Sequence, residues 1–157
     1  MRRVVAIHRK GAWPEADARG AVTLGFLDRY RRRVRLHGDD GTPFLLDLKR
    51  AAVLGAGDGL ELEGGGYLRV CAASEELAEI ACRDGAELAR IAWHLGNRHL
   101  PMQVAGTVLR IRWDHVIVDM VAGLGAQVIP IDAAFDPEAG AYAESGHHHH
   151  HDDDHAH

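Results

Sequence analysis

The sequence predicts an α+β protein: a small all-β domain first, a mixed domain second and a polar tail last. Three observations predict it. Up to Ala72 the apolar residues alternate in short runs between Gly-rich turns, the period of half-buried strands. Beyond Ser74 they recur at threes and fours, the period of a helix. From Asp136 the patterning ceases, and seven of the 12 histidines crowd into the last eleven residues.

The first domain is expected over residues 1–72. Val4–Ile7 is a short β-branched run, and Ala21–Leu27 alternates loosely. Arg31–Leu36 sets Val34 and Leu36 on one face and Arg31, Arg33 and Arg35 on the other. Gly38-Asp39-Asp40-Gly41 signals a turn into Phe44–Leu48. Gly55 and Gly57-Asp58-Gly59 precede Leu60–Glu63, and Gly64-Gly65-Gly66 leads into Tyr67–Ala72.

The second domain is expected over residues 73–136. Ser74 suits a helix N-cap, with Glu75, Glu76 and Glu79 near the positive end of the helix. Leu77, Ile80, Ala81, Leu88, Ile91, Ala92 and Leu95 follow at helical spacing. Asp84-Gly85 interrupts them, which leaves one long helix or two pieces. Gly96-Asn97, with Pro101 beyond, is a stop. Met102–Ala105 and Thr107–Trp113 are strands about Gly106, Asp114 caps a second helix through Val116, Met120, Val121 and Leu124, and Gln127–Ile131 is the last strand. Counted from Tyr67–Ala72 the order is βαββαβ, the ferredoxin-like pattern with two helices on one face of a sheet. Residues 137–157 are expected to be a flexible, disordered His-rich tail.

Composition narrows the function. No apolar run approaches the roughly 20 residues that span a bilayer. Val4–Ile7, between Arg2-Arg3 and Arg9-Lys10, is too short for a signal-peptide core, so a cytoplasmic protein without a membrane partner is expected. Cys71 and Cys82 form neither a disulfide framework nor a CxxC pair; they read as buried thiols, the alternative being a metal role for Cys82. The net charge is −5, but without Asp152, Asp153 and Asp154 there are 18 bases against 20 acids. So nearly neutral a body does not suit a nucleic-acid partner. The run Arg29, Arg31, Arg32, Arg33, Arg35 reads as a solvated strand face, or else as a docking patch for an acidic protein surface; nucleic acid is the third reading, which no aromatic interleaving or binding signature supports. No Gly-x-Ser-x-Gly, Walker-type or GxGxxG pattern occurs, so an enzyme is not expected.

The tail carries the strongest chemical signal. His147, His148, His149, His150, His151, His155 and His157 offer imidazoles, ligands that suit nickel, copper and zinc, mixed with three carboxylates. A purification tag is the alternative, although five histidines followed by Asp152-Asp153-Asp154-His155-Ala156-His157 is an unusual tag. Within the body, His8 and His37 lie in β segments and read as structural or surface residues. His99, just past a helix end, also reads on the residues alone as a structural or surface histidine.

Gly96-Asn97-Arg98-His99-Leu100-Pro101 resembles the signature of the UreE family of urease accessory nickel metallochaperones. Phe44–Arg50 with Leu54–Asp58 is similar to that family's N-terminal β domain, and Phe135–Tyr142 to its exit into a His-rich tail. Three matches in order span nearly the whole chain. The resemblance implies a homodimer joined through the ferredoxin-like domain, with His99 of each chain meeting at the two-fold axis to hold Ni2+. Zn2+ and Cu2+ would compete for such ligands. It further implies delivery to the GTP-hydrolysing urease accessory protein and through it to apo-urease. Some members carry His-Asp-His where this chain has Trp113-Asp114-His115; an indole N–H cannot ligate, so His115 is a ligand alone or with Asp114, or else merely follows a cap. His94, five residues before His99 and on another face, reads as structural. Competing readings are a general nickel or zinc store using the tail, a metallohydrolase that lacks an obvious third ligand, and a peptide-binding module with an incidental tail.

Overall fold

A computed structural model describes residues 1–139; the seven tail histidines, and the disorder expected of the tail beyond Ala139, fall outside the described residues. The described chain forms two domains, rich in strands, with two α-helices.

Six strands build the first domain: β1 (Arg2–His8), β2 (Ala18–Leu24), β3 (Tyr30–His37), β4 (Pro43–Val53), β5 (Gly59–Leu62) and β6 (Tyr67–Ala72). They form one sheet in the order β2-β6-β5-β1-β4-β3, parallel at β1–β4 and β2–β6 and antiparallel elsewhere. Alternation puts one face of each strand inward: Val4, Val22, Phe44, Leu46, Leu60, Leu62, Leu68 and Val70 make one core, with Val34 and Leu36 packed against it. Each such side chain contributes about 1.5–3 kcal/mol when fully buried. Tyr67–Ala72 therefore belongs here and is not the first strand of the βαββαβ unit, because its partners are β2 and β5.

The second domain holds β7 (Ser74–Ala81), α1 (Gly85–Asn97), β8 (Gln103–Ala105), β9 (Val108–Arg112), α2 (His115–Gly123) and β10 (Gln127–Ala134). Its sheet runs β10-β7-β9-β8, antiparallel throughout. Gly106, at φ +61°, makes the tight β8–β9 turn. The βαββαβ succession thus starts one strand later than expected. Ser74–Ala81 is a strand, not the start of a helix: β10 pairs with all eight of its residues and β9 with five. Ala78 and Ile80 face the helices, packed with Ile91, Leu95, Leu109, Ile111, Ile117 and Val121. Leu77 is buried on the opposite face. The acids that suggested a helix start serve the sheet: Glu79 pairs with Arg110 at 3.0 Å, and Glu75 lies 3.5 Å from Arg112. The helix starts instead at Gly85, where the Asp84 carboxylate accepts the Glu87 N–H at 2.8 Å.

Among the described residues no helix is long and apolar enough to cross a membrane.

Candidate metal centre

α1 ends as the sequence predicts, at Gly96-Asn97, but the way it ends matters more. Arg98 closes the last turn, and His99 follows at φ +57°, the only non-glycine with positive φ among the described residues. The His99 N–H donates to the Gly96 carbonyl at 3.0 Å, and the Leu100 N–H reaches back to Leu95 at 3.3 Å. This left-handed closure is the position where glycine is usual, because a Cβ there costs about 1–2 kcal/mol. The His99 imidazole is exposed and makes no hydrogen bond among the described residues. A side chain held at a conformational cost without a structural bond is the pattern of a functional residue.

Electrostatics favour a cation at this place. The carbonyl end of α1 carries roughly half a negative charge, and His99 stands against it. His115 stands the other way round. It is the first residue of α2, where the N–H groups carry the positive end of the helix. The Asp114 carboxylate is already committed as the cap, accepting the N–H of Val116 at 2.9 Å and of Ile117 at 3.3 Å. His115 is exposed, and Trp113 packs against the core between the helices and the sheet. His115 therefore has the poorer field for a cation and a neighbouring acid that is occupied.

The residues next to these two histidines share one cavity of about 280 Å3, lined by Leu100, Pro101, Ile111, Trp113, Asp114 and Phe135 among others. The exit from β10 joins the same region. Phe135 is fully buried, the Asp136 N–H donates to the Gln103 side-chain oxygen at 3.2 Å, and the Glu138 N–H donates to the Met102 carbonyl at 2.8 Å. Residues 136–138, at the boundary where a free tail was expected, are thus tied down a few residues from His99. The structure brings together the His99 loop, the start of α2 and the root of the tail. Among the described residues it gathers no group of three potential metal ligands.

The remaining histidines lie elsewhere. His8 on β1 has Nε2 2.6 Å from the Glu61 carboxylate and meets the Tyr67 ring edge-on at 5.5 Å. His94 lies beside the exposed Trp93 ring at 5.0 Å, and His37 is exposed at the end of β3. Cys82 is buried, and burial, aided by Glu87 and Asp84, pushes its thiol above the usual range, so it stays protonated and is a poor metal ligand.

One residue of this region is out of reach of pattern reading. Arg29, the first member of an arginine run that suggested a solvated face, is 1% exposed and donates from Nη2 to the Phe135 carbonyl. Its partner is 106 positions away, and nothing local marks it.

Two family models match the chain: the N-terminal domain of the UreE urease accessory protein over residues 2–73 and its C-terminal domain over residues 75–157. The urease accessory protein UreE of Bradyrhizobium sp. (strain ORS 278) is 55% identical over 145 residues, 92% of this chain and 67% of the relative. That of Beijerinckia indica is 49% identical over 146 residues, covering 93% and 84%. That of Ruegeria pomeroyi is 44% identical over 136 residues, covering 87% and 88%.

Proposed function

The chain belongs to the UreE family of urease accessory proteins, and from that premise we propose that it is a metallochaperone carrying Ni2+ for assembly of the urease active site. The family is one of accessory proteins to an enzyme, and its part lies in urease maturation.

The observation that carries the reading is His99: an exposed imidazole held in the left-handed conformation at the negative end of α1. Imidazole suits Ni2+, and one histidine per chain becomes two ligands when a two-fold axis passes between copies. The second domain takes the ferredoxin-like form in this reading, as the strand order β10-β7-β9-β8 supports. Dimerisation through this domain draws support from Trp93, Val104 and Val116, large apolar side chains left exposed on α1, β8 and α2.

Two imidazoles leave coordination positions open, which suits a carrier that must release its cargo. The tail holds the further imidazoles of the chain, His147 lying nine residues beyond Glu138 in the sequence. His115 is a secondary ligand at most, and Zn2+ and Cu2+ compete for the same donors. The cargo passes to the GTP-hydrolysing urease accessory protein and on to apo-urease, in the cytoplasm.

The composition of the tail favours a second reading, a nickel or zinc store in which residues 147–157 do all the binding. Nickel calorimetry separates the two on three forms: the native chain, the chain with its seven tail histidines replaced by alanine, and that chain with His99→Gly added. A carrier site gives about half an ion per chain in the second form and none in the third. Nickel binding in the second form that survives His99→Gly would remove the interface site and leave the store.

A further inference from the structure

The arginine run of the sequence divides in the structure. Arg29 is buried, while Arg31 and Arg33 answer acids, Asp28 at 2.8 Å and Asp47 at 3.7 Å. Arg32 is exposed and forms no ion pair among the described residues. It stands at an irregularity of the β3–β4 ladder. Arg31 pairs with Ala52 and Arg33 with Asp47, so Arg32 alone is set against the stretch from Leu48 to Ala51, where β4 bulges. Leu48 is buried in the core. Lys49 and Arg50 are exposed and, like Arg32, form no ion pair among the described residues.

The bulge therefore gathers three cations without acids to answer them. Like charges set across a ladder repel, so this arrangement opposes the fold. β3 is the last strand of its sheet, and a charged side chain guards such an edge against pairing. That guard needs no bulge and no cluster.

An apolar surface adjoins the cations. Tyr30 and Val53 are ladder partners next to the Arg31–Ala52 pair, and Leu27 lies in the 3-10 turn Phe26–Asp28 that packs on β3. Leu27, Tyr30 and Val53 are 68%, 52% and 45% exposed. Apart from Met1 they are the large apolar side chains left exposed in the first domain. The Arg9 guanidinium donates to the Val53 carbonyl at 2.9 Å and adds a further cation at their side. Tyrosine and arginine are the residues that most often anchor protein interfaces. An apolar centre with cations about it fits a protein surface whose apolar residue is ringed by carboxylates. Single-stranded nucleic acid would stack its bases on aromatic rings, and Tyr30 is the one exposed aromatic here.

We propose that the β3–β4 bulge, with Leu27, Tyr30 and Val53 beside it, is a docking surface for an acidic face of the protein that receives the metal. The choice of partner rests on the nickel-carrier reading. The first domain then supplies recognition and the second holds the cargo.

The test uses the full chain, with the GTP-hydrolysing urease accessory protein as probe. Three forms are compared by calorimetry: the native chain, the chain with Arg32→Glu, Lys49→Glu and Arg50→Glu together, and Tyr30→Ser. The charge reversal and Tyr30→Ser are each expected to weaken probe binding at least about tenfold. Raising salt from about 0.1 M to about 0.5 M is expected to weaken the native complex severalfold and to leave the charge-reversed one nearly unchanged. Nickel titrations are expected to match in all three forms. Replacement of the three cations by glutamine is the milder variant should the reversal not fold; relief of their repulsion leaves its urea midpoint at or above the native one. Probe binding within about twofold of native in both the charge variant and Tyr30→Ser would overturn the proposal. So would a native chain that binds single-stranded DNA or anionic phospholipid vesicles more tightly than the probe, since the cations would then serve a polyanion. A native chain that holds nickel at His99 but does not bind the probe also overturns it, and leaves the metal centre standing. Loss of the His99 site with docking intact would instead remove the carrier reading and keep the surface.

Discussion

A histidine at φ +57° carries a backbone cost that glycine in the same place does not. His99→Gly is therefore a cleaner probe of ligation than alanine, which keeps the Cβ and the strain. Glycine relieves roughly 1–2 kcal/mol of strain and returns about 0.4–1 kcal/mol through the more flexible unfolded chain. The metal-free His99→Gly protein is expected to be as stable as the native one or up to about 1 kcal/mol more stable, with His99→Ala below it, as read from urea midpoints. A loss of more than about 1 kcal/mol in His99→Gly would show that contacts of the imidazole, and not its metal chemistry, keep it there. The residue scale is also where the sequence was only partly legible. The Gly96-Asn97 stop marked the end of α1, but the left-handed turn at His99 is set by the Leu95 and Gly96 carbonyls, which no pattern of types displays. Arg29 is the stronger case, since its burial depends on Phe135, far along the chain.

At the scale of elements, most strands and the second helix follow from alternation, glycine turns and the Asp114 cap. β7 is the exception, for a physical reason. Leu77 and Ile80 are three apart and both buried, which imitates a helix face, yet they lie on opposite faces of a strand covered on both edges. Glu75 and Glu79 imitate first-turn acids, yet they answer Arg112 and Arg110 across the ladder. The two readings place the helix cap at different residues, and alanine substitutions separate them. Asp84→Ala is expected to cost about 1 kcal/mol by removing the bond to the Glu87 N–H, and Asp114→Ala a similar amount at α2. Ser74→Ala, at an exposed strand end, is expected to stay within about 0.5 kcal/mol of the native protein. A loss at Ser74 equal to that at Asp84, in matched urea titrations, would count against β7 and for the longer helix.

At the scale of the whole molecule, the question is how many histidines hold one ion, because a site shared between copies needs two where a site within one chain can use one. Proton linkage counts them. Imidazole ligates only when neutral, so each histidine that binds the ion competes with one proton. In the chain with its tail histidines replaced, the logarithm of nickel affinity at the interface site should therefore fall about twice as steeply with falling pH as at a single-histidine site. The same protein, titrated at a concentration low enough to separate the copies, should lose the steep dependence together with the half-ion stoichiometry, since both come from the second chain. The shallower, one-proton dependence, indifferent to protein concentration, would place one His99 per ion and set the two-fold site aside. A flat profile would remove histidine from the ligand set altogether.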